Sequence, residues 1–194
     1  MSNQTVTDSN SSILNVKPLE TLKEVEEWFK KVDNNNTGFL TLKSLQEALY
    51  WSQNKNFSKK ACKLMMSLFD GDRNETINLD EFKRLCSYVN RWLHVFMMYD
   101  LNNSGTIDAK EFSYALIQMG YKLSNQFVEL VMKVFGENSN EMTLDEFIMA
   151  CVEIQKYTEA FRVRDLECIG TISLEDKEIR IRNNVDNFEI ELEL

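Results

Sequence analysis

The most informative run of the sequence is DLNNSGTIDAKE, from Asp100 to Glu111. Its oxygen-bearing residues occupy positions 1, 3, 5, 7, 9 and 12 of a twelve-residue frame: Asp100, Asn102, Ser104, Thr106, Asp108 and Glu111. Ca²⁺ is a hard cation that takes about 6–8 oxygen ligands, and this spacing lets one tightly wound loop supply them. Gly105 permits the sharp turn, Thr106 offers its carbonyl, and Glu111 offers both carboxylate oxygens. The stretch therefore predicts a calcium-binding loop.

Apolar residues flank this loop at helical spacing: Trp92, Val95, Phe96 and Tyr99 before it, and Phe112, Ala115, Leu116 and Met119 after it. This recurrence is typical of helices with one apolar face, so the unit is predicted to be a helix–loop–helix of the EF-hand type. A plain surface turn rich in Asn, Gly and Ser would not require carboxylates at both ends of the frame. Ile107, at position 8, is expected to pair in a short strand with a neighbouring loop.

A second loop, DGDRNETINLDE, runs from Asp70 to Glu81. Its candidate metal ligands are Asp70, Asp72, Asn74, Thr76 through its carbonyl, Asn78 and Glu81. Glu75 stands at position 6, where glycine is usual, and a residue with a side chain is strained by about 1–2 kcal/mol at positive φ. We expect this loop to bind Ca²⁺ more weakly than the loop at Asp100.

A third candidate, DNNNTGFLTLKS, lies earlier in the chain, from Asp33 to Ser44. It keeps Asp33, Asn35, Thr37 and the Phe39 carbonyl as possible ligands. Ser44 replaces the bidentate glutamate at position 12, and only one ligand position carries a carboxylate. Because loop charge tunes affinity, we expect weak calcium binding or none.

Two later segments resemble such loops with poorer ligands. In residues 135–146, aligning Glu146 to position 12 puts Phe135 at position 1, and starting at Gly136 leaves the loop one residue short. Either frame lacks the first carboxylate, so a structural hand without metal is expected. The segment Asp165–Asp176 has Ile169 at position 5, so no tight calcium site is expected, and Mg²⁺ is an alternative ion for such weak sites.

The spacing of the five loops indicates how their helices are arranged. The 18 residues between Glu81 and Asp100 leave room for one helix of about 27 Å, which must serve both loops. The segment from Glu146 to Arg164 repeats this arrangement. We call the units hands 1 to 5 in chain order. The predicted fold is all-α, with five EF-hands, helices shared between hands 2 and 3 and between hands 4 and 5, and short β pairings between loops.

This pattern resembles the penta-EF-hand family, which includes sorcin, grancalcin and the calpain regulatory domains. The runs that carry the resemblance are RWLHVFMMYDLNNSGTIDAKEF from Arg91, GYKLSNQF from Gly120 and TEAFRVRD from Thr158. The resemblance implies a calcium-responsive adaptor that binds a target protein or a membrane surface in its calcium-bound state, and a homodimer formed through the fifth hand. The composition, rich in Asn and Lys, is also compatible with grainins, calcium-binding proteins of amoebal granules.

Three regions are expected along the chain: a polar tail at residues 1–19, a penta-EF-hand domain at 20–176 and a C-terminal segment at 177–194. In the last region, Glu178–Arg182 and Phe188–Leu194 alternate apolar and polar residues at period two, as strands do. The resembling family would place a dimer-forming helix here, and a short helix followed by a tail is the alternative to strands.

Composition narrows the function classes. The net charge of −9 and the lack of a basic stripe argue against nucleic-acid binding. No set of catalytic Ser, His and Asp, phosphate loop or zinc constellation is recognisable, so no enzymatic activity is expected. The cysteines form no C-x-x-C pair, and the chain shows neither a signal peptide nor a membrane span. We expect a cytoplasmic protein with calcium-dependent membrane association, or alternatively one stored in intracellular granules or vesicles.

Two functions follow from these features. A calcium sensor would reorient the helices beside the loops at Asp70 and Asp100 and expose apolar surface to a partner. A calcium buffer or storage protein would bind the ions with little change of shape. Nine methionines suit an adaptable apolar groove, although their helical spacing also fits ordinary core packing.

Overall fold

A computed structural model describes residues 22–53, 57–136, 140–164, 171–174, 177–184 and 187–192. The helices are α1 (Leu22–Val32), α2 (Leu42–Gln53), α3 (Lys59–Phe69), α4 (Leu79–Tyr99), α5 (Ala109–Gln118), α6 (Asn125–Phe135) and α7 (Leu144–Arg164). The strands are β1 (Phe39–Leu40), β2 (Ile77–Asn78), β3 (Ile107–Asp108), β4 (Tyr121–Leu123), β5 (Glu141–Met142), β6 (Thr171–Leu174), β7 (Lys177–Asn184) and β8 (Asn187–Leu192). The chain divides into two compact units, Met1–Arg91 and Trp92–Leu194.

The first unit is built on the apolar face of α1. Val25 and Phe29 are buried there, and the ring centroids of Phe29 and Phe82 lie 5.6 Å apart. Lys83 Nζ lies 2.7 Å from the Glu26 carboxylate. The hydrogen bond from Lys83, joined by its positive charge, holds the pKa of Glu26 below its ordinary value. Aromatic packing and an ion pair therefore both join α1 to α4.

The second unit has an aromatic core centred on Phe147 of α7. Its ring lies 5.8 Å from that of Trp92, 5.7 Å from that of Phe96 and 6.0 Å from that of Phe112, all in edge-on geometry. Edge-on contacts suit the ring quadrupoles and add to the burial of apolar area. Phe147 therefore joins residues of α4, α5 and α7 in one cluster.

Neighbouring loops pair through short antiparallel strands within each unit. Leu40 lies opposite Ile77, and Ile107 lies opposite Met142. All four side chains are fully buried. The predicted pairing of Ile107 with a neighbouring loop is confirmed, and the partner is the loop of hand 4.

Two long helices confirm the predicted sharing. The 21-residue α4 runs from the end of the loop at Asp70 to the start of the loop at Asp100. The 21-residue α7 follows the fourth loop and ends at Arg164, beside the fifth. In the described part of the chain, no helix has the length and apolarity needed to cross a membrane.

The C-terminal residues form strands, as their period-two pattern indicates, and not the helix that the family resemblance implies. The order in the sheet is β4-β8-β7-β6, with β4 parallel to β8 and the other pairs antiparallel. The register places Arg180 opposite Glu191 and Arg182 opposite Glu189.

The fifth hand is only partly described. Residues 165–170 and 175–176, which include Asp165, Ile169 and Asp176, lie outside the described residues. Thr171–Leu174 forms β6, which pairs with β7. The next described element is β7, which begins at Lys177, so a strand and not a helix follows the predicted fifth loop.

Candidate metal centres

The first half of the loop at Asp100 is wound around that carboxylate. Asp100 Oδ1 accepts from the Ser104 backbone N–H at 2.9 Å, and Oδ2 accepts from the Gly105 N–H at 2.8 Å. Asn102 Oδ1 also accepts from the Ser104 N–H, at 2.8 Å. Gly105 has φ +78°, a conformation that glycine adopts without steric cost. These contacts bring the side chains of positions 1, 3 and 5 to one side of the turn.

Glu111 closes the other half of this loop. Its Oε1 accepts from the backbone N–H groups of Leu101 and Asn102, at 3.0 and 3.3 Å, and its Oε2 accepts from the Asp108 N–H at 3.0 Å. The side chain is 5% exposed, and Asp100 is 3% exposed. Burying a carboxylate is costly unless hydrogen bonds or positive charge offset it. Both oxygens of Glu111 thus lie beside the loop backbone, where a bidentate ligand is needed.

Asp108 begins the helix that carries Glu111. Its side chain accepts from the N–H groups of Lys110 and Glu111, at 2.8 and 2.9 Å, and forms a capping box with Glu111. Helix α5 therefore starts at Ala109, inside the twelve-residue frame. Ligand position 12 therefore lies in the first turn of a helix, so a shift of the Glu111 backbone would also shift the start of α5.

The loop at Asp70 gathers a carboxylate cluster. Oxygen atoms of Asp70, Asp72 and Glu81 all lie within 4.8 Å of one another, a spacing that suits a metal ion. Glu81 repeats the geometry of position 12: it accepts from the Gly71 N–H and the Asn78 N–H, both at 2.9 Å. The predicted first, third and twelfth ligands are therefore brought together.

The middle of the same loop holds the remaining candidate ligands. Asn74 Nδ2 donates to Asp72 Oδ2 at 2.8 Å, and the Thr76 backbone N–H donates to Asn74 Oδ1 at 2.8 Å. The Thr76 hydroxyl also donates to Asn74 Oδ1. These contacts hold position 5 between its neighbours at positions 3 and 7.

Backbone strain in this loop exceeds the expectation from Glu75. Glu75 has φ +62°, as its place at position 6 predicts, and Arg73 at position 4 has φ +58°. Asn36 and Asn103 occupy position 4 of their loops at φ +50° and +55°, but asparagine tolerates this region better than arginine. The strain at position 4 follows from the loop geometry and was not anticipated from sequence.

Replacing Glu75 with glycine is expected to stabilise the protein. Left-handed φ costs a residue with a side chain about 1–2 kcal/mol, and the extra unfolded-state entropy of glycine cancels about 0.5–1 of that. The net gain of ~0.5–1 kcal/mol should raise the Tm by roughly 1–4 °C in a chain of this size. Glu75→Ala removes the same charge but keeps the strain, so it is the matched control. Equal Tm values for the two variants, measured by circular dichroism, would remove strain as the cause.

The loop at Asp33 is shaped like the others in its first half. Asp33 Oδ1 accepts from the Thr37 N–H and hydroxyl, both at 2.9 Å, and Oδ2 accepts from the Gly38 N–H at 2.7 Å. Burial raises the pKa of Asp33, but these hydrogen bonds outweigh it and hold the pKa below its ordinary value. The Thr37 hydroxyl oxygen also lies 3.0 Å from the Phe39 carbonyl oxygen. Candidate ligands at positions 1, 5 and 7 thus converge, and Asn35 is exposed.

Position 12 of this first loop differs from the others. Ser44 Oγ lies 3.1 Å from the Thr41 hydroxyl, and the Ser44 N–H donates to that hydroxyl at 3.3 Å. The serine therefore bonds to position 9, where a glutamate would reach back across the loop. This geometry agrees with the expected weak site or absence of a site.

The fourth loop has the frame that begins at Phe135. Ile107 at position 8 of its loop pairs with Met142, so Met142 is also at position 8 and Glu146 is at position 12. Glu146 Oε2 accepts from the Thr143 N–H at 2.7 Å, the same contact that Glu81 and Glu111 make. Because Phe135 ends α6 at position 1, this hand has the shape of an EF-hand without its first carboxylate.

Comparison with known proteins agrees with this geometry. The family described as an EF-hand domain pair matches residues 22–87 and 90–151. Peflin from Xenopus laevis is 38% identical over 153 residues, which are 78% of this chain and 54% of peflin. The chain thus spans about half the length of the peflins it matches. Sorcin from Schistosoma japonicum is 42% identical over 142 residues, 73% of this chain and 83% of that protein.

A solved structure shows the same fold. It is a homologue of programmed cell death 6 protein from Leishmania major Friedlin, with a TM-score of 0.65 and 24% identity over 77% of this chain and 82% of that one. Paired loops, shared helices and the matches to peflin and sorcin lead to one conclusion. The chain is a calcium-binding EF-hand protein and belongs to the penta-EF-hand family.

Proposed function

We propose that the protein is a calcium sensor, in which Ca²⁺ bound by the loops at Asp100 and Asp70 exposes apolar surface to a partner. The observation that carries this proposal is the position of Glu111 in the first turn of α5. The same helix bears two large side chains at the surface, Tyr114 at 46% and Ile117 at 54% exposure. A cation that draws Glu111 toward Asp100 would therefore move an apolar helix face.

The apolar face of α5 borders a groove. This groove, of about 450 Å³, lies between α5 and α6 and is lined by Ala109, Lys110, Ser113, Tyr114, Ile117, Asn125, Val128 and Glu129. Calcium sensors of this fold open the angle between paired helices and uncover such a groove. Rotation of α5 would change the width of the groove directly, because α5 forms one of its walls.

The partner in this proposal is a target protein or a membrane surface, reached in the calcium-bound state. Met97 and Met98 at the end of α4 are 45% and 65% exposed, and methionine adapts to varied apolar partners. The same proposal includes a homodimer through the fifth hand and binding of Mg²⁺ at the weaker loops. It includes neither nucleic-acid binding nor enzymatic activity.

A cytoplasmic location is part of the proposal, with granules or vesicles as the alternative. It is supported by Cys62, Cys86 and Cys151, which are buried and form no disulfide within the described part of the chain. Burial raises the pKa of Cys86 to about 12 and also raises the pKa of Cys151. Such thiols stay protonated at neutral pH and are poor metal ligands.

A buffer or storage role is the second candidate, and one observation favours it. Asp100 and Glu111 already accept five backbone hydrogen bonds within their loop, from Ser104, Gly105, Leu101, Asn102 and Asp108. A loop ordered in this way could take up a cation with little movement of α5. The two functions therefore differ in the motion of α5, not in the ligands.

Calcium titration with an apolar-surface dye separates these functions. The full chain is titrated with CaCl₂ in calorimetry and in parallel with the dye, in a background of Mg²⁺. A sensor is expected to bind Ca²⁺ with dissociation constants of about 10⁻⁷–10⁻⁵ M and to gain dye fluorescence along the same isotherm. Uptake of Ca²⁺ without a dye response would establish the buffer and overturn the sensor.

Two surface variants locate the response. Ile117→Ser lies on the proposed groove and should reduce the calcium-dependent dye signal. Leu68→Ser is the matched control, because Leu68 is similarly exposed, at 43%, but lies on α3 of the first unit. If both variants lost the same amount of calcium-dependent dye fluorescence, the dye would not be bound specifically at the α5–α6 groove, and the proposed role of this groove would be contradicted.

A further inference from the structure

A side chain from hand 4 reaches the loop of hand 3. Glu141, at position 7 of the fourth loop, accepts a hydrogen bond at its Oε2 from the hydroxyl of Thr106, 2.8 Å away. Thr106 is at position 7 of its own loop, where its carbonyl is a candidate ligand. The hydroxyl of Ser104, a candidate ligand at position 5, lies 3.0 Å from both the carbonyl oxygen and the hydroxyl of Thr106. The three side chains form a chain from one loop to the other.

The direction of these hydrogen bonds matters for a cation. A hydroxyl has one proton, and the proton of Thr106 is directed to Glu141. Thr106 Oγ1 is therefore an acceptor toward Ser104. The backbone N–H of Thr106 donates to Ser104 Oγ at 3.3 Å and occupies one of its two lone pairs. When a cation binds the Thr106 carbonyl, the proton of Ser104 can turn to Thr106 Oγ1, and the second lone pair of Ser104 then faces the cation. Without Glu141, the Thr106 hydroxyl could donate to Ser104 and occupy that second lone pair.

Charge acts in the same direction. The strand register places Glu141 opposite Asp108, the residue at position 9 of hand 3. Like charges directly opposite each other across an antiparallel pair destabilise it. A cation beside Asp108 would offset this repulsion, so Glu141 contributes to the attraction for Ca²⁺ without touching it. Its side chain is exposed, and salt should weaken this part of the effect.

We propose that Glu141 is a positioning residue for the calcium ion of hand 3: it holds the Thr106 hydroxyl proton and so orients the oxygens of Ser104 and Thr106 toward the ion. This inference rests on the proposed calcium binding by hand 3. It assigns hand 4, which lacks a carboxylate at position 1, a contribution to the affinity of its neighbour. Loss of the contact from Glu141 to Thr106 would then lower the calcium affinity of hand 3 although all ligands of that loop are still present.

The test uses the full chain with Glu81→Gln in the background, so that hand 3 dominates the calcium isotherm. Three variants are compared there: Glu141→Ala removes acceptor and charge, Glu141→Gln keeps an acceptor oxygen, and Thr106→Val removes the hydroxyl but keeps the carbonyl. Glu159→Ala, which removes an exposed charge on α7 of the same unit, is the matched control. Calorimetry at about 0.05 and 0.5 M KCl gives each affinity and its salt dependence.

Glu141→Ala and Thr106→Val are each expected to weaken binding about tenfold, as for loss of one hydrogen bond to a charged group. Glu141→Gln should bind Ca²⁺ about threefold more weakly than the background chain at the lower salt concentration. This difference in affinity should disappear at the higher salt concentration, because salt screens the contribution of the charge. A variant that combines Glu141→Ala with Thr106→Val should lose little more calcium affinity than either single variant, because both substitutions remove the same contact. Glu159→Ala should leave the affinity unchanged.

Several results would overturn the inference. These are a Glu141→Ala affinity equal to that of Glu159→Ala, equal losses for the glutamine and alanine variants, or strictly additive losses in the double variant. Each leaves calcium binding by hand 3 in place. If the Glu81→Gln chain itself binds no Ca²⁺, the proposed calcium binding by hand 3 is wrong, and the inference about Glu141 is wrong with it.

Discussion

Glu111→Gln is expected to weaken calcium binding at hand 3 by about 100-fold or more. The substitution keeps the size of the side chain but removes a full charge and one of two oxygen ligands from a position that is 5% exposed. A hundredfold loss corresponds to about 2.7 kcal/mol, a modest figure for a charge pair shielded from water. Calorimetric titration should show one fewer site with a dissociation constant below about 10⁻⁵ M.

Glu146→Gln is the matched control for this variant. Glu146 occupies position 12 of hand 4 and accepts the same backbone hydrogen bond, from Thr143, but Phe135 stands at position 1 of its loop. The calcium isotherm of Glu146→Gln should therefore equal that of the unmodified chain. An unchanged isotherm for Glu111→Gln would remove Glu111 as the principal ligand, and equal losses for both variants would mean that hand 4 holds metal too.

Phe147→Ala is expected to produce the largest loss of stability, about 3–5 kcal/mol of the free energy of unfolding. The side chain is fully buried, and its ring packs edge-on against Trp92, Phe96 and Phe112. Removing the ring leaves a cavity between the three neighbouring rings, which can move only partly into the empty volume. Since domains are stable by about 5–15 kcal/mol, the variant should unfold at a much lower urea concentration.

Two controls define the cause of this loss. Tyr157→Ala also removes an aromatic ring from α7, but that side chain is 63% exposed, so its cost should stay within about 0.5 kcal/mol. Phe147→Leu keeps most of the apolar volume and should lose less than Phe147→Ala. The measurement is urea unfolding followed by circular dichroism and by tryptophan fluorescence. Similar midpoints for Phe147→Ala and Tyr157→Ala would contradict the central role of this ring cluster.

The ligand loops are the part of the site that can be read from the sequence. At hand 3, every candidate ligand belongs to one twelve-residue run, so spacing alone places Asp100 and Glu111 at its two ends. The structure folds that run as expected and adds the helix start at Ala109, because Asp108 caps α5. The lengths of α4 and α7 follow in the same way from the distance between loops. These features depend on contacts that are local in sequence.

Other features were open or missed because they depend on pairing between distant segments. The alternation in residues 178–182 and 188–194 predicted strands, but nothing in it indicated the parallel pairing of β8 with Tyr121–Leu123. Left-handed backbone at position 4, as in Arg73, arises from the winding of the whole loop. No local pattern marks these positions.

The frames of the loops at Asp33, Asp70 and Asp100, the shared helices and the family can be read from the sequence, because ligand spacing and helical periodicity are properties of short runs. The frame of hand 4 follows from strand pairing, since the pairing of Ile107 with Met142 puts Phe135 at position 1. Only the tertiary structure brought Glu141 within 2.8 Å of Thr106, 35 residues away in the chain. Such contacts depend on the register between paired strands. The register is set in turn by the apolar side chains that must be buried together in the folded protein.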